Sequence, residues 1–217
     1  MATFNELALL IAEPLKRTLD VSFREQLKER IRYWRARLVK NSLDKKPTDR
    51  KFFTQTITIP MEEVEAAQCG IDLNCKVMRS TVDIPQPIRA NSILFDFVGS
   101  VEGSNPFKML KKWEMYYALK DKYAPKVTIY ATWENKRIII PHNPLTTYIT
   151  IDYIAEDPEA AAAINCASTS ENCSFDDEEY PIPGDIAQLI VQSILDIDFR
   201  RKETKDEEVK VGERPEK

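Results

Sequence analysis

The stretch Asp176-Asp177-Glu178-Glu179-Tyr180-Pro181-Ile182-Pro183 decides how the C-terminal part of this chain folds. Four consecutive acidic residues lead into two prolines, which fix their own φ angles and disfavour helix in the residue before them. We therefore predict an extended segment up to Pro183. Pro183 itself suits the first turn of a helix, because its missing N–H costs no hydrogen bond there.

The segment after Pro183 has the apolar spacing of an amphipathic helix. Its predicted core stripe, at intervals of three and four residues, consists of Ile186, Leu189, Ile190, Ser193, Ile194 and Ile197. A second apolar row, Val191, Leu195 and Phe199, lies beside the first. One face is predicted to pack on its own domain, and the second is either buried as well or in contact with another subunit.

Residues 200–217 form a charged segment that is poor in apolar side chains. Such a segment cannot bury a core of its own, so we predict a tail that is mobile in the free subunit. Because it follows a helix with two apolar faces, we expect it to become ordered on a partner.

Composition limits the class of protein. The chain has 217 residues and 43% hydrophobic residues, which is enough for a packed core. No apolar run reaches the roughly 20 residues that span a bilayer. Glu6 and Glu13 interrupt the N-terminal apolar stretch, so we predict no signal peptide and synthesis in the cytoplasm.

Charge is unevenly distributed, although the net charge is only −4. Residues 16–51 contain thirteen Lys or Arg and five Asp or Glu, whereas residues 156–185 contain nine Asp or Glu and no Lys or Arg. Each patch alone is consistent with a solvated surface. Together they would suit head-to-tail contacts between identical subunits.

The N-terminal part is predicted to be a helical hairpin. Residues 3–6 and residues 22–25 each have the sequence of a capping box, and Pro14 should end the first helix. The apolar period of the second helix continues to about Asn41. This helix is strongly basic between Arg24 and Lys40, which indicates a solvated face, a contact with an acidic protein surface, or a contact with nucleic acid phosphates.

The middle of the chain is predicted to be β-rich. Alternating residues indicate a strand from Phe52 that Pro60 closes, and an excursion follows up to Cys75. Residues 108–120 fit either a strand or a short helix. Further predicted strands cover residues 76–84, 93–98, 126–133, 137–140 and 147–154, and residues 159–164 form a helical turn.

These elements predict an α+β fold. Helices within residues 3–41 and 183–199 form a small bundle, and residues 51–154 form a central antiparallel sheet or small barrel. Residues 1–199 are taken as a single domain, followed by the tail 200–217.

No pattern indicates catalysis. His142, the single histidine, lies between two prolines in a loop, and no nucleophile elbow is present. The cysteines have C-x5-C and C-x6-C spacings, which do not match a zinc knuckle, and we expect them to be reduced. We therefore predict a protein that is not an enzyme, without catalytic residues, cofactor or metal.

Several motifs occur in an order that resembles a known family. They are residues 75–80 (CKVMRS), 84–88 (IPQPI), 97–103 (FVGSVEG) and 156–158 (EDP), and the acidic run into Tyr180. In this order, from about Phe4 to Phe199, the chain resembles the ring or head–tail connector proteins of crAss-like tailed bacteriophages.

The resemblance implies a structural role in the virion neck or tail, after assembly in the host cytoplasm. Copies would form a ring, expected to be twelvefold, between the portal protein and the tail. Other ring or tail proteins would be neighbours, genomic DNA would pass through the lumen without sequence-specific binding, and no membrane would be involved. The alternative is a nucleic-acid-binding accessory protein that uses helix 24–40.

The expected interface residues combine charge and apolar surface. We predict that the basic helix of one copy faces the acidic run of a neighbour or a surface toward DNA, and that the second row of the C-terminal helix contacts a partner. The predicted residues are Arg30, Arg35, Arg37, Asp176, Asp177, Glu178, Glu179, Tyr180, Val191, Leu195 and Phe199.

Overall fold

The structure is a computed structural model, and it describes residues 3–69, 76–89, 93–120, 128–141, 146–167 and 180–197. The chain folds into two compact units. Unit 1 comprises Met1–Lys46 and Ser174–Lys217, and unit 2 comprises Pro47–Cys173. The predicted helical parts fall in unit 1 and the predicted β-rich part falls in unit 2.

Helix α1 (Phe4–Ala12) begins and ends as the sequence predicts. The Thr3 hydroxyl accepts the Glu6 N–H at 3.1 Å, and the Glu6 carboxylate accepts the Thr3 N–H at 2.9 Å. This reciprocal pair is the predicted capping box. The helix ends before Pro14, which cannot continue the helical hydrogen bonds.

Helix α2 (Val21–Lys45) begins with a different cap from the predicted one. Asp20 is the N-cap, and its Oδ1 accepts the Phe23 N–H at 2.9 Å. The predicted capping box at Ser22 and Glu25 is therefore wrong, because both residues lie inside the helix. Asp20 also accepts a hydrogen bond from Arg17 at 2.5 Å, which holds the carboxylate beside the cap. The helix ends at Lys45, beyond the predicted Asn41.

Helix α5 (residues 184–197) starts directly after Pro183 and buries a narrower stripe than predicted. Ile186, Ile190 and Ile194 are at most 5% exposed, whereas Leu189 is 47% exposed. These three buried isoleucines are four residues apart, so they lie on one side of the helix. The other apolar side chains of α5 are therefore available at its surface within the described chain.

Unit 2 is built around a seven-stranded sheet with the order β3-β7-β1-β2-β6-β5-β4. Neighbouring strands are antiparallel except β4 and β5, which are parallel. The strands are β1 (Gln55–Glu65), β2 (Lys76–Ser80), β3 (Phe95–Ser100), β4 (Lys108–Met109), β5 (Tyr130–Glu134), β6 (Arg137–Pro141) and β7 (Tyr148–Tyr153).

The sheet curves into a nearly closed barrel. The chain turns after the end of β3 and runs back alongside this strand. There, Phe107 donates its N–H to the Val98 carbonyl at 2.7 Å. The chain then continues into β4, the opposite edge strand, where Lys108 donates to the Ile129 carbonyl at 2.8 Å. The two edges of the sheet are thereby connected through one short segment, as the prediction of a small barrel requires.

Strand β1 does not end at Pro60, contrary to prediction. Residues 55–60 pair with β7, and residues 61–65 pair with β2. Pro60 therefore lies where the strand changes partner, and its carbonyl accepts the Thr81 N–H at 3.0 Å. A proline is tolerated there because the ladder does not use its missing N–H. A short 3-10 helix (Ala66–Cys69) follows the strand.

The hairpin of β5 and β6 confirms the sequence prediction. Its two turn residues, Asn135 and Lys136, have φ values of 49° and 62°. This conformation is typical of the tight turn that matches the twist of two antiparallel strands. Residues 108–120, which fitted two structures, contain both: β4 and helix α3 (Lys112–Lys120).

The core of unit 2 alternates between the two faces of the sheet. Ile138 and Ile140 belong to the main cluster inside the barrel, whereas Ile139 packs with Met115 of α3 in a smaller cluster on the other face. Helix α4 (Pro158–Ala167), which is longer than the predicted turn, is anchored on β1. The Asn165 side chain accepts the Thr58 N–H at 3.0 Å and donates to the Thr56 carbonyl at 2.9 Å.

The cysteines differ from the expectation in one respect. Cys69 is a free thiol, as expected. Cys166 is disulfide-bonded, with its partner outside the described residues, so the expectation that the cysteines are reduced is wrong there. Among the described residues, no helix is long and apolar enough to cross a membrane.

Candidate assembly interface

Two of the predicted interface residues, Arg35 and Tyr180, meet inside unit 1. The Arg35 side chain is 0% exposed, its Cζ lies 5.7 Å from the centroid of the Tyr180 ring, and its Nη2 donates to the Pro181 carbonyl at 3.4 Å. The other side of the contact is Phe4, whose ring stacks on Tyr180 with centroids 4.7 Å apart and planes 15° apart. An aromatic face and a backbone carbonyl thereby replace part of the water that would otherwise surround this guanidinium.

Arg37 and Arg30 are placed differently from Arg35. Arg37 is exposed, and Arg30 is half-buried. The guanidinium carbon of Arg37 lies 5.2 Å from the Trp34 ring, whose neighbour Tyr33 is 61% exposed. Residues 30, 33, 34 and 37 share one helical face. Arginine beside one half-buried and one exposed aromatic ring is a composition typical of interface hot spots.

Other cations of α2 are engaged in local ion pairs. Lys28 Nζ lies 3.3 Å from Glu25, and Arg32 Nη1 lies 2.5 Å from Glu29. The Arg32 guanidinium carbon also lies 5.3 Å from the Phe4 ring. These contacts leave a discontinuous positive surface, which weighs against a helix that tracks phosphates.

The C-terminal helix contributes apolar surface. Val191 and Leu195, the predicted second row, are half-buried, and Leu189 and Ile197 are 47% and 39% exposed. Leu189 and Ile197 belong to the predicted core stripe, so the second row with Val191 and Leu195 is the separate, partly covered apolar face that fits a subunit contact. The remaining predicted residues, Phe199 and the acidic run 176–179, lie outside the described residues.

Helix α3 carries an exposed aromatic face that the sequence did not reveal. Trp113 is 60% exposed and Tyr117 is 66% exposed, and their rings make an edge contact with centroids 6.3 Å apart. Tyr116 lies beside them, with the Lys120 ammonium over its ring. A helical period of 113, 116, 117 and 120 would have indicated this face, but the residues also alternate like a strand.

The described residues contain no arrangement typical of catalysis. No group of three or more His, Cys, Asp or Glu among them could hold a metal ion, and His142 lies outside them. Burial raises the pKa of the Cys69 thiol, and the positive charge of Arg79 opposes this only in part. Burial likewise raises the pKa of Tyr153. Both groups therefore stay protonated at neutral pH, which makes them poor nucleophiles.

Comparison with known families gives the class of the protein. Residues 20–213 match the model of a family of phage ring proteins, described as phage tail ring protein 2 (CrAss ring 2). The match covers most of the chain, so the chain belongs to this family of structural proteins of the phage tail. No curated protein matches the sequence. The resemblance to ring proteins of crAss-like phages is thereby confirmed, and it extends beyond Phe199 into the charged tail.

Proposed function

We propose that copies of this chain form a closed twelvefold ring in the connector between the portal protein and the tail, around the channel for genomic DNA. Membership of the phage tail ring protein 2 family is the observation that carries the proposal. The role is structural and requires no catalysis. The ring forms in the host cytoplasm and remains in the neck or tail of the virion, without a membrane.

The subunit contact is proposed to be head-to-tail. The face of α2 with Arg30 and Arg37 would meet the acidic run 176–179 of the next copy. Arg35 takes no direct part in this proposal, because its buried guanidinium already contacts Tyr180. When two different surfaces of the subunit contact each other from copy to copy, the copies form a ring if the rotation between successive subunits adds up to a full turn.

Apolar surface would supply most of the contact energy. The exposed rings of α3 and the exposed side of α5 with Val191 and Leu195 are the proposed apolar contacts, and Phe199 would extend the latter. Rim charges such as Arg37 contribute more to orientation and association rate than to affinity. Within each subunit, α5 is proposed to complete a small bundle with α1 and α2, which pack on each other.

The tail 200–217 is proposed to dock on the portal or on an adjacent ring protein. A charged segment of this kind gains its order from a partner, and ion pairs then fix its register. Truncation after Phe199 should leave the melting temperature unchanged and should lower incorporation into particles. Unfolding of the truncated chain, or incorporation equal to that of the full chain, would contradict this role.

A charge-reversal pair tests the head-to-tail contact. Arg37→Glu should weaken assembly in native mass spectrometry, and Glu178→Lys in the same chain should restore it in part. Lys45→Glu, an exposed cation at the end of α2, is the matched control and should assemble normally. Equal losses for Arg37→Glu and Lys45→Glu, without rescue, would indicate a different contact.

A nucleic-acid-binding role of helix 24–40 makes a separate prediction. Binding of this type would fall steeply with salt concentration. Because Lys28 and Arg32 are engaged in local ion pairs and Arg35 is buried, we expect no retention of duplex DNA in a gel-shift assay at low salt. Salt-sensitive retention that is lost in Arg30→Ala would support the accessory role instead.

A further inference from the structure

Unit 2 has an open pocket with a volume of about 570 Å³ on the side of the sheet where β1, β3 and β7 begin or end. Its polar lining comes from the segment before β1, from β1 itself, and from the two strands on that side. The lining residues that matter here are Arg50, Lys51, Thr54, Thr56, Asp96 and Asp152. They lie far along the sequence from one another, so folding assembles the pocket.

The Arg50 guanidinium has a hydrogen-bond partner at only one of its three nitrogens, Nε, within the described residues. Its Nε donates to Asp96 Oδ1 at 2.5 Å, and the Thr54 hydroxyl donates to Asp96 Oδ2 at 2.9 Å. The Arg50 side chain is 12% exposed. Neither of its terminal nitrogens, Nη1 or Nη2, has a hydrogen-bond partner in the part of the chain that the structure describes, and both are buried.

Two buried guanidinium nitrogens without acceptors are unusual. Together they carry four N–H donors, and an unsatisfied buried donor is costlier than a hydrogen bond is favourable. Buried polar groups in folded proteins are satisfied as a rule, and an exception indicates a missing ion, water or ligand. Because Arg50 lines an open pocket, a ligand atom that enters the pocket can supply the acceptors once the side chains that cover Nη1 and Nη2 have shifted.

The charged residues of the pocket indicate which kind of group could accept the hydrogen bonds of Arg50 Nη1 and Nη2. Arg50 and Lys51 are balanced by Asp96 and Asp152, so the lining has no net charge. The Asp152 carboxylate accepts a hydrogen bond from the Thr56 hydroxyl at 2.6 Å. The two aspartates would repel a phosphate with nearly two negative charges more strongly than a carboxylate, which carries one charge and pairs with the planar fork of an arginine.

We propose that this pocket binds a carboxylate group, which accepts hydrogen bonds from Nη1 and Nη2 of Arg50. The carboxylate can belong to a small molecule or to an acidic side chain of a peptide. Both nitrogens have almost no accessible surface in the free protein, so binding requires a shift of pocket side chains. The proposal concerns the single chain and does not depend on ring formation.

The test is a titration of the isotope-labelled full-length chain followed by NMR. The Nε–Hε signal of Arg50 and the amides of Thr54 and Asp96 are monitored during addition of sodium acetate, sodium phosphate or a capped peptide with one glutamate, against chloride at equal ionic strength. Saturable shifts with acetate and peptide are expected. Shifts with the peptide alone would assign the carboxylate to a protein side chain.

Variants make the assignment specific. Arg50→Lys keeps the charge but loses the fork, so carboxylate affinity should fall about tenfold or more. Lys76→Gln is the matched control and should change affinity little, because this exposed lysine of β2 does not line the pocket. Asp152→Asn should tighten binding by removing a like charge, and it keeps the test valid if Arg50→Lys does not fold. Absence of saturable shifts in the wild type, or tighter binding of phosphate than of acetate, would overturn the proposal.

Discussion

The guanidinium of Arg35 lies against the ring of Tyr180, and both side chains are buried, at 0% and 3% exposure. This contact joins the basic helix to the end of the acidic, proline-containing stretch within one chain. Arg35, one of the cations that suggested a contact between copies, therefore makes its contact inside unit 1. The exposed Arg37 is left as the cation best placed for a neighbour.

Loss of the Arg35 side chain should destabilise unit 1. Arg35→Ala removes a buried side chain, its cation–π contact and its hydrogen bond to Pro181, so the free energy of unfolding should fall by about 2–4 kcal/mol. Arg37→Ala is the surface control and should stay within about 0.5 kcal/mol. Chemical denaturation measures both. Similar small effects for the two variants would show that Arg35 is not a packing residue.

The Asp20 cap gives the stability a pH dependence. The N–H of Phe23, and then Arg17, lower the pKa of Asp20 below its ordinary value of 3.8. A lowered pKa stabilises the fold above 3.8, and this contribution is lost as the pH falls through the lowered value. Asp20→Ala should therefore reduce the melting temperature at neutral pH and have less effect in acid. Ser22→Ala should have no effect at either pH, and a larger effect of Ser22→Ala would favour the capping box predicted from sequence.

A glycine in β3 allows a matched pair of substitutions. A Cβ atom at Gly99 would lie 2.5 Å from the Asn105 carbonyl oxygen, whereas one at Gly184 meets no atom within 4 Å. Gly99→Ala should lower the free energy of unfolding by about 1–3 kcal/mol through overpacking. Gly184→Ala, in the first turn of α5, should be neutral or stabilising. An unchanged melting temperature for Gly99→Ala would mean that the turn after β3 can move away.

The aromatic face of α3 should matter for assembly but not for folding. Trp113→Ala and Tyr117→Ala remove exposed rings, so the melting temperature should stay near that of the wild type. If these rings are hot spots, subunit association should weaken by about tenfold or more each. Met115→Ala, at a buried position on the same helix, is the contrasting variant and should lower stability instead. Normal assembly of both aromatic variants would remove α3 from the proposed interface.

Sequence periodicity predicted the long elements better than their ends. The periodic patterns of α1, α2 and the β5–β6 hairpin are clear signals, because in each of them many residues follow the same helical or strand period. The cap of α2 was misplaced because Asp20 and Ser22 are both good caps, and only the hydrogen bond to Phe23 distinguishes them. Pro60 resembles a strand end in the sequence, because a change of strand partner leaves no trace there.

The candidate interface was less predictable than the fold. Arg30, Arg35 and Arg37 look alike in a basic helix, and burial of one of them depends on Tyr180, which is distant in sequence. The aromatic residues of α3 fit two periods, so their exposure could not be deduced. Their placement depends on Met115, which packs beneath the helix against Ile139.

The most direct measurement of the central claim is cryo-electron microscopy of the purified phage particle with symmetry averaging of the neck and tail. We expect a closed ring of twelve copies between portal and tail, with unit 2 recognisable by its seven-stranded sheet and with α2 of one copy facing residues 176–179 of the next. Absence of the chain from purified virions, or its presence as isolated monomers outside the tail axis, would contradict a ring in the connector.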